Sequence, residues 1–204
     1  MINELKEIFG PKVTAIKVND KLSDFFINIP LRKMKFCEAV NYSFNVPLQI
    51  SNQNLICPGA RRCLGYDTDD QQLAALIAQN NTIPQNFVEE ALLDIPKLNG
   101  IRYVNVGMTD YMEKGVEPDL FIVYLKPATI TTLMHALAKM GNKLSIKPYS
   151  LLSVCGNVFS NCYINGEVTL SFGCPESRKF GGVNSNEVVL GLPYNVAGQL
   201  LELW

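Results

Sequence analysis

The chain has 204 residues, of which 48% are hydrophobic and 18% charged, and its formal net charge is −1. That is enough apolar material for one compact core, or for two small fused halves sharing one, and too much for a disordered chain. A near-neutral balance excludes the global basic field that draws in nucleic acid or an anionic membrane surface.

From the N-terminus, MINELKEIFGPK reads as a helix with two acids, without the basic start and apolar run of a signal peptide. No later segment is apolar for a full membrane span, so a cytoplasmic protein is expected. KVTAIKV (Lys12–Val18) alternates and is β-branched, as a strand should be, and Leu31–Phe44 places apolar residues at helical intervals. Val46–Ile50 is a short strand. Asp69–Asn81 opens with capping acids and Pro84–Ile95 with a proline that first turns accept, so both read as helices. Ile101–Met108 and Asp119–Leu125 are strands, the second apolar enough to lie at the centre of a sheet. Ala128–Lys143 is a helix stopped by Gly141 and Asn142. Tyr149–Asn161 reads as helical, Glu167–Phe172 as a strand, Asn186–Pro193 as a strand closed by proline, and Tyr194–Trp204 as a terminal helix. No linker or low-complexity tract divides the chain, which predicts a single mixed α/β (α+β) domain over residues 1–204.

Two stretches repeat one frame. CPGARRCLG from Cys57 and CPESRKFGG from Cys174 both follow Cys-Pro with a small residue, an arginine, a second base and a closing glycine, Gly65 or Gly182. Each is preceded by another cysteine, Cys37 lying 20 residues before Cys57 and Cys155 lying 19 before Cys174. The intervening order is also the same: a cysteine on a helix, a short strand, then a Cys-Pro turn entering a basic helix. This predicts an internal repeat over about 12–82 and 119–193, with the halves packed about a pseudo-twofold axis because each buries the face the other cannot cover alone. Four sulfurs would then converge from remote points of the chain.

Convergent thiolates select zinc, copper(I) or iron–sulfur clusters, and a Cys-Pro step suits a cluster ligand because proline turns the chain away from the metal. Structural zinc sites favour paired cysteines two to four residues apart, and the closest pair here is Cys57 and Cys63. The spacing therefore favours one 4Fe–4S cluster held by Cys37, Cys57, Cys155 and Cys174, with zinc as the rival cofactor. Cys162 falls outside the frame and reads as core. Cys63 takes the place of Phe180 in the second copy, an apolar packing position, with a fifth ligand or reserve thiol as its other reading. Arg61 and Arg178 hold equivalent positions, where a positive charge would lower thiol pKa values or clamp a carboxylate or phosphate, so both are candidate cofactor-binding residues; Arg32, Lys33 and Lys35 add to the same field. The sole histidine, His135, excludes histidine-rich metal sites and reads as a packing or surface residue. Phosphate loops, dinucleotide fingerprints, nucleophile elbows, zincin motifs and C-x-x-C pairs are all absent.

The blocks KMKFCEAV, LICPGARRCLGY, LLSVCGNV and SFGCPESRKFGGVNSNEVVLGLP resemble domain of unknown function family 169, found mainly in archaea and anaerobic bacteria. The resemblance covers the chain from about the first strand to the last and implies that the same four cysteines form the site; an anaerobic setting would suit an oxygen-sensitive cluster. It supplies no reaction. Two functional classes remain open: a redox or small-molecule conversion centre acting on an anionic substrate, as in an iron–sulfur oxidoreductase or lyase, and a non-catalytic metal or cofactor carrier or zinc–thiolate structural protein. Expected partners are a small anionic molecule or a redox partner protein, with a homo-oligomer left open, and neither nucleic acid nor a membrane.

Overall fold

The structure is a computed structural model that describes all residues except 20–31, 67, 101–102, 108–115 and 148. Its centre is a seven-stranded sheet of β1 (Val13–Asn19), β2 (Leu48–Ser51), β3 (Tyr103–Gly107), β4 (Leu120–Leu125), β5 (Leu144–Ile146), β6 (Val168–Ser171) and β7 (Val188–Pro193), in the order β2-β3-β1-β4-β7-β6-β5. Every pairing is antiparallel except β5 with β6. The mixed α+β domain is thus as the sequence implies. The ends of the expected strand at Ile101, Arg102 and Met108, and the expected helix start at Leu31, lie outside the described residues.

All six residues of β4 are buried, and they alternate between two cores. Phe121, Val123 and Leu125 pack beneath α1 (Ile2–Phe9), α6 (Ala128–Lys139) and the terminal helix α9 (Tyr194–Leu203). Leu120, Ile122 and Tyr124 face the opposite core. That core is covered by α2 (Phe36–Ser43), α3 (Pro58–Cys63), α4 (Asp70–Asn81), α5 (Gln85–Leu93), a π-helix (Ser153–Ser160) and α7 (Asn161–Asn165), while α8 (Pro175–Lys179) stands at its edge. Each fully buried Leu, Ile or Phe contributes about 1.5–3 kcal/mol relative to exposure, so covering both faces dominates the energetics.

If β1 is matched with β4, β2 with β6 and β3 with β7, the order β2-β3-β1-β4-β7-β6 reads the same from either end, and β5 is an added edge strand. Under that matching the covering elements differ. Cys37 sits on an α-helix but Cys155 on a π-helix, and the α4–α5 hairpin follows α3 with no counterpart between α8 and β7.

Three local features depart from the sequence reading. The helix at Cys37 begins only at Phe36, because Met34 forms a parallel bridge with Leu55: its N–H donates to Asn54 O at 2.8 Å, and its carbonyl accepts from the Ile56 N–H at 3.0 Å. The segment around Cys155 is a π-helix, entered through Leu152 at φ 47, whose carbonyl accepts from both Gly156 and Asn157 N–H. Such widened turns are rare and gather at functional sites, as do left-handed non-glycine residues. The short edge strand β5 has no counterpart in the reading from sequence.

The closing glycine of each repeated frame stops its helix. Gly65 and Gly182 adopt φ 76 and 66, the left-handed region that favours glycine. A Cβ on Gly65 would lie 1.9 Å from the Leu98 carbonyl oxygen. Gly65→Ala should therefore cost at least about 1–3 kcal/mol in urea unfolding. Gly100→Ala, at φ 70 but with nothing within 4 Å, should fall at the low end of the left-handed penalty, about 1 kcal/mol. Equal midpoints for the two variants would contradict this packing.

Candidate functional site

The two Cys-Pro steps build the same local structure. Cys57 and Cys174 occupy the N-cap positions of α3 and α8 in extended conformation, and Pro58 and Pro175 follow inside the first turn. Proline suits that place because its missing N–H is one a helix start leaves unpaired anyway. In α8 the cap is closed both ways: the Ser177 N–H donates to Cys174 Sγ at 3.4 Å, and the Cys174 N–H donates to Ser177 Oγ at 2.8 Å.

The duplicated arginines also act alike. Arg61 Nη1 donates to the carbonyls of Asn52 at 3.1 Å and Leu55 at 3.4 Å. Arg178 donates to the carbonyls of Asn184 at 2.6 Å and Phe172. Leu55 and Phe172 each stand two residues before the Cys-Pro cysteine, so each guanidinium braces the loop that delivers its thiol. Neither Arg61 nor Arg178 lines the cavity described below. Arg62, the second base of the first frame, is 3% exposed, donating to Ile95 O at 2.8 Å and Leu92 O at 2.5 Å and pairing with Asp70.

Tertiary contacts then bring the four predicted cysteines together. The Met34–Leu55 bridge sets the start of α2 beside the start of α3, and hence Cys37 near Cys57. Across α2 lies α8: the Cys37 thiol points at the Glu176 carbonyl at 3.8 Å, Lys35 pairs with Glu176, and a Cβ on Gly181 would lie 2.8 Å from Cys37 Cβ. On the other side α3 meets the π-helix, where a Cβ on Gly59 would lie 2.0 Å from Leu152 Cδ2. The result is a cavity of about 70 Å³ lined by Cys37, Cys57, Cys155 and Cys174. Its walls are mostly apolar, from Phe36, Ala60, Ile77, Leu151, Leu152 and Val154, with Asn81, Pro175 and Glu176 completing them. Cys37 and Cys155 are buried, whereas Cys57 and Cys174 are partly exposed and mark the open side. Among the described residues, no group of three or more His, Cys, Asp or Glu is gathered closely enough to hold a single metal ion.

The remaining two cysteines are both buried, Cys162 at 1% exposure and Cys63 at 0%. Cys63 lies behind the site and shares a hydrogen bond with Cys155. Its counterpart Phe180 is 36% exposed beneath Lys35, 4.2 Å from the ring centroid, so the repeat does not carry one packing role across both copies. His135 is exposed on α6, beside the other core. Among the lining residues, Ile77 and Asn81 come from α4, and neither carries a motif that could have announced it.

Burial, together with the charge that Cys174 and Cys57 would carry, pushes the Cys37 thiol up to about 12, against smaller opposing effects of the Glu38 amide and Lys35. Burial raises Cys57 too, opposed by the Ala60 amide and Lys35. Cys155 is held well above the ordinary range, first by its bond with Cys63, then by burial. These three are therefore protonated thiols at neutral pH, and each lies within electrostatic reach of other cysteines around the same cavity.

A family model described as Uncharacterised ArCR, domain of unknown function 169, matches residues 5–202. No curated protein matches the chain, and no solved structure does. Among the described residues, no helix is long and apolar enough to cross a membrane. With nearly its whole length matched, the chain belongs to domain of unknown function family 169.

Proposed function

We propose that Cys37, Cys57, Cys155 and Cys174 hold an iron–sulfur cluster, most simply one 4Fe–4S group, and that the repeat brings two related halves to one site. The observation that carries this reading is that all four cysteines chosen by the repeat line a single cavity. The volume also favours a polyatomic group: about 70 Å³ is more than one ion fills. A cluster binds its thiolates at separate corners, so they need not crowd round one point as ligands of a single ion must. Its apolar walls and N-cap amides suit a buried thiolate centre, whose potential depends on burial and hydrogen bonds to sulfur. The palindromic strand order supports the twofold relation of the halves.

Such a cluster would supply one-electron transfer or, if only three of the four thiolates bound it, a Lewis-acidic iron. The chain's own residues orient the thiols and keep water from the inner wall, and a small anionic molecule or a redox partner protein would meet the group on the side where Cys57 and Cys174 are partly exposed. The partial exposure of Cys57 and Cys174 favours a second reading, a carrier that loads and releases its metal group without catalysis.

Anaerobic reconstitution with iron and sulfide, followed by metal and acid-labile sulfide analysis, is the direct test. Stoichiometric uptake that is lost in Cys57→Ser and Cys174→Ser but kept in Cys162→Ala supports the site; zinc bound in place of iron overturns the cluster.

Because Cys37, Cys57 and Cys155 are raised and must lose protons to bind metal, uptake releases protons. Affinity should fall as pH drops, by up to about tenfold per unit for each proton displaced. Uptake measured against a competing chelator between about pH 9 and 7 tests this, and a flat profile argues against these thiols as ligands.

A further inference from the structure

The cavity opens where Cys57 and Cys174 are partly exposed, and the surface around that opening is both apolar and basic. Met34 and Leu55 bridge two extended segments and are both buried, so Lys33, Lys35 and Ile56 take the outward side. Across α2, Lys35 pairs with Glu176 and lies 4.2 Å from the centroid of the Phe180 ring, and Lys179 lies 5.2 Å from the same centroid. Arg178 reaches back past Gly173 to the Phe172 carbonyl, which fixes Phe172 on the flank of Cys174. Ile56 and Phe172, one beside each Cys-Pro turn, are 46% and 53% exposed.

Charge on this rim is one-sided. Glu176 is matched by Lys35, and Glu38 by Arg32. Lys33, Arg178 and Lys179 are exposed and form no ion pair among the described residues. Arg178 directs its donors at backbone carbonyls, which leaves its charge uncancelled. These bases gather on one face of a chain whose formal net charge is −1. Exposed large apolar side chains ringed by uncancelled charge fit a protein surface of the opposite sign. A small anion would gain nothing from Ile56 and Phe172.

We propose that this rim, Ile56, Phe172 and Phe180 with Lys33, Arg178 and Lys179, docks a one-electron carrier protein that presents an acidic face. The inference rests on the reading of the cavity as an iron–sulfur centre and names the partner of that centre. Electron transfer weakens steeply with distance, and the partly exposed Cys57 and Cys174 mark where a bound group comes nearest to solvent. A reduced carrier docked here would be oxidised by one electron and the bound group reduced by it, with no bond made or broken. Such encounters are small and brief, so opposite charge raises the association rate and the apolar side chains hold the complex long enough for transfer.

The test uses full-length protein reconstituted anaerobically with iron and sulfide, and an acidic plant-type ferredoxin, chemically reduced, as the probe. Lys33→Glu with Lys179→Glu is compared with Lys139→Glu with Lys143→Glu, which makes the same change of charge on and just after α6, over the other core. At low salt the rim variant should accept electrons at least about tenfold more slowly than wild type, and the control should stay within about twofold; the gap should close as salt rises to about 0.5 M. Phe172→Ser should weaken binding about fivefold and leave the salt dependence unchanged. All variants should take up the wild-type amount of iron. A loss shared equally by the control, or a wild-type rate indifferent to salt, overturns the docking surface while the cluster reading stands. Calorimetric binding of oxidised ferredoxin to metal-free protein separates the two ideas. If no cluster forms, yet the rim variant alone binds at least about tenfold more weakly than wild type, the cluster reading falls and the surface stands. A wild type that neither loads nor binds overturns both. Self-association of wild type that the rim variant abolishes assigns the face to a second copy, and also overturns the proposal.

Discussion

A central strand with no exposed side chain must be covered twice. β4 has six buried residues, and the two cores it separates decide where everything else can go. One is a plain hydrophobic layer sealed by α1, α6 and α9. The other receives α2, α3, α4, α5 and the π-helix, and five of the six cysteines pack in or against it, with Cys174 at its rim. Burying thiols beside apolar side chains costs little, because a free cysteine behaves as a small hydrophobe until it is asked to ionise. The same burial that makes the thiols harmless to the fold makes them reluctant to lose their protons unless a positive charge beside them compensates.

The repeated frame now has a residue-by-residue physical meaning. Cysteine caps the helix, proline fixes the first turn, arginine reaches back to the carbonyl two residues before the cysteine, and glycine ends the helix in a left-handed turn. Each device constrains the position of one sulfur. Surface arginines at these places would contribute little to stability by charge alone, but bonds to backbone carbonyls hold a loop that would otherwise be free to move the thiol. Two such turns face a cavity whose other thiols come from α2 and from the π-helix.

Strain also gathers on one wall. Leu152 is left-handed without being glycine, the π-helix follows directly, and Gly59 and Gly156 allow neighbouring atoms to approach more closely than a side chain would permit. Asn157 stabilises the entry by donating to the carbonyls of Tyr149 and Leu151, and Ser153 and Ser171 join the π-helix to β6 at 2.8 Å. A strained wall maintained by this much hydrogen bonding is what a preformed site requires, since a wall free to relax would close over the cavity.

Much of this was legible in one dimension. Periodicity located most of the strands and helices, because alternation and helical spacing are imposed by which face must be buried. The spacing of the cysteines picked out four of six, since a frame repeated twice is a local pattern that needs no folding to be seen. Position in space was not legible. Arg61 and Arg178 looked like cations for a ligand, and only the folded loops show them bonded to carbonyls, because a guanidinium suits a backbone oxygen as well as an anion. Nothing in Ile77 or Asn81 announces the cavity: each is ordinary in its own helix, and a helix residue gains its neighbours from elements far away in sequence. Residues a few positions apart are enough to specify the elements, the two capped helix starts and the four cysteines of the repeated frame. That those thiols share one cavity follows from long-range packing, through the Met34–Leu55 bridge and the contacts of α8 with α2 and α3 with the π-helix. These contacts join residues some 20 to 140 positions apart, and no periodicity along the chain encodes which distant faces will meet.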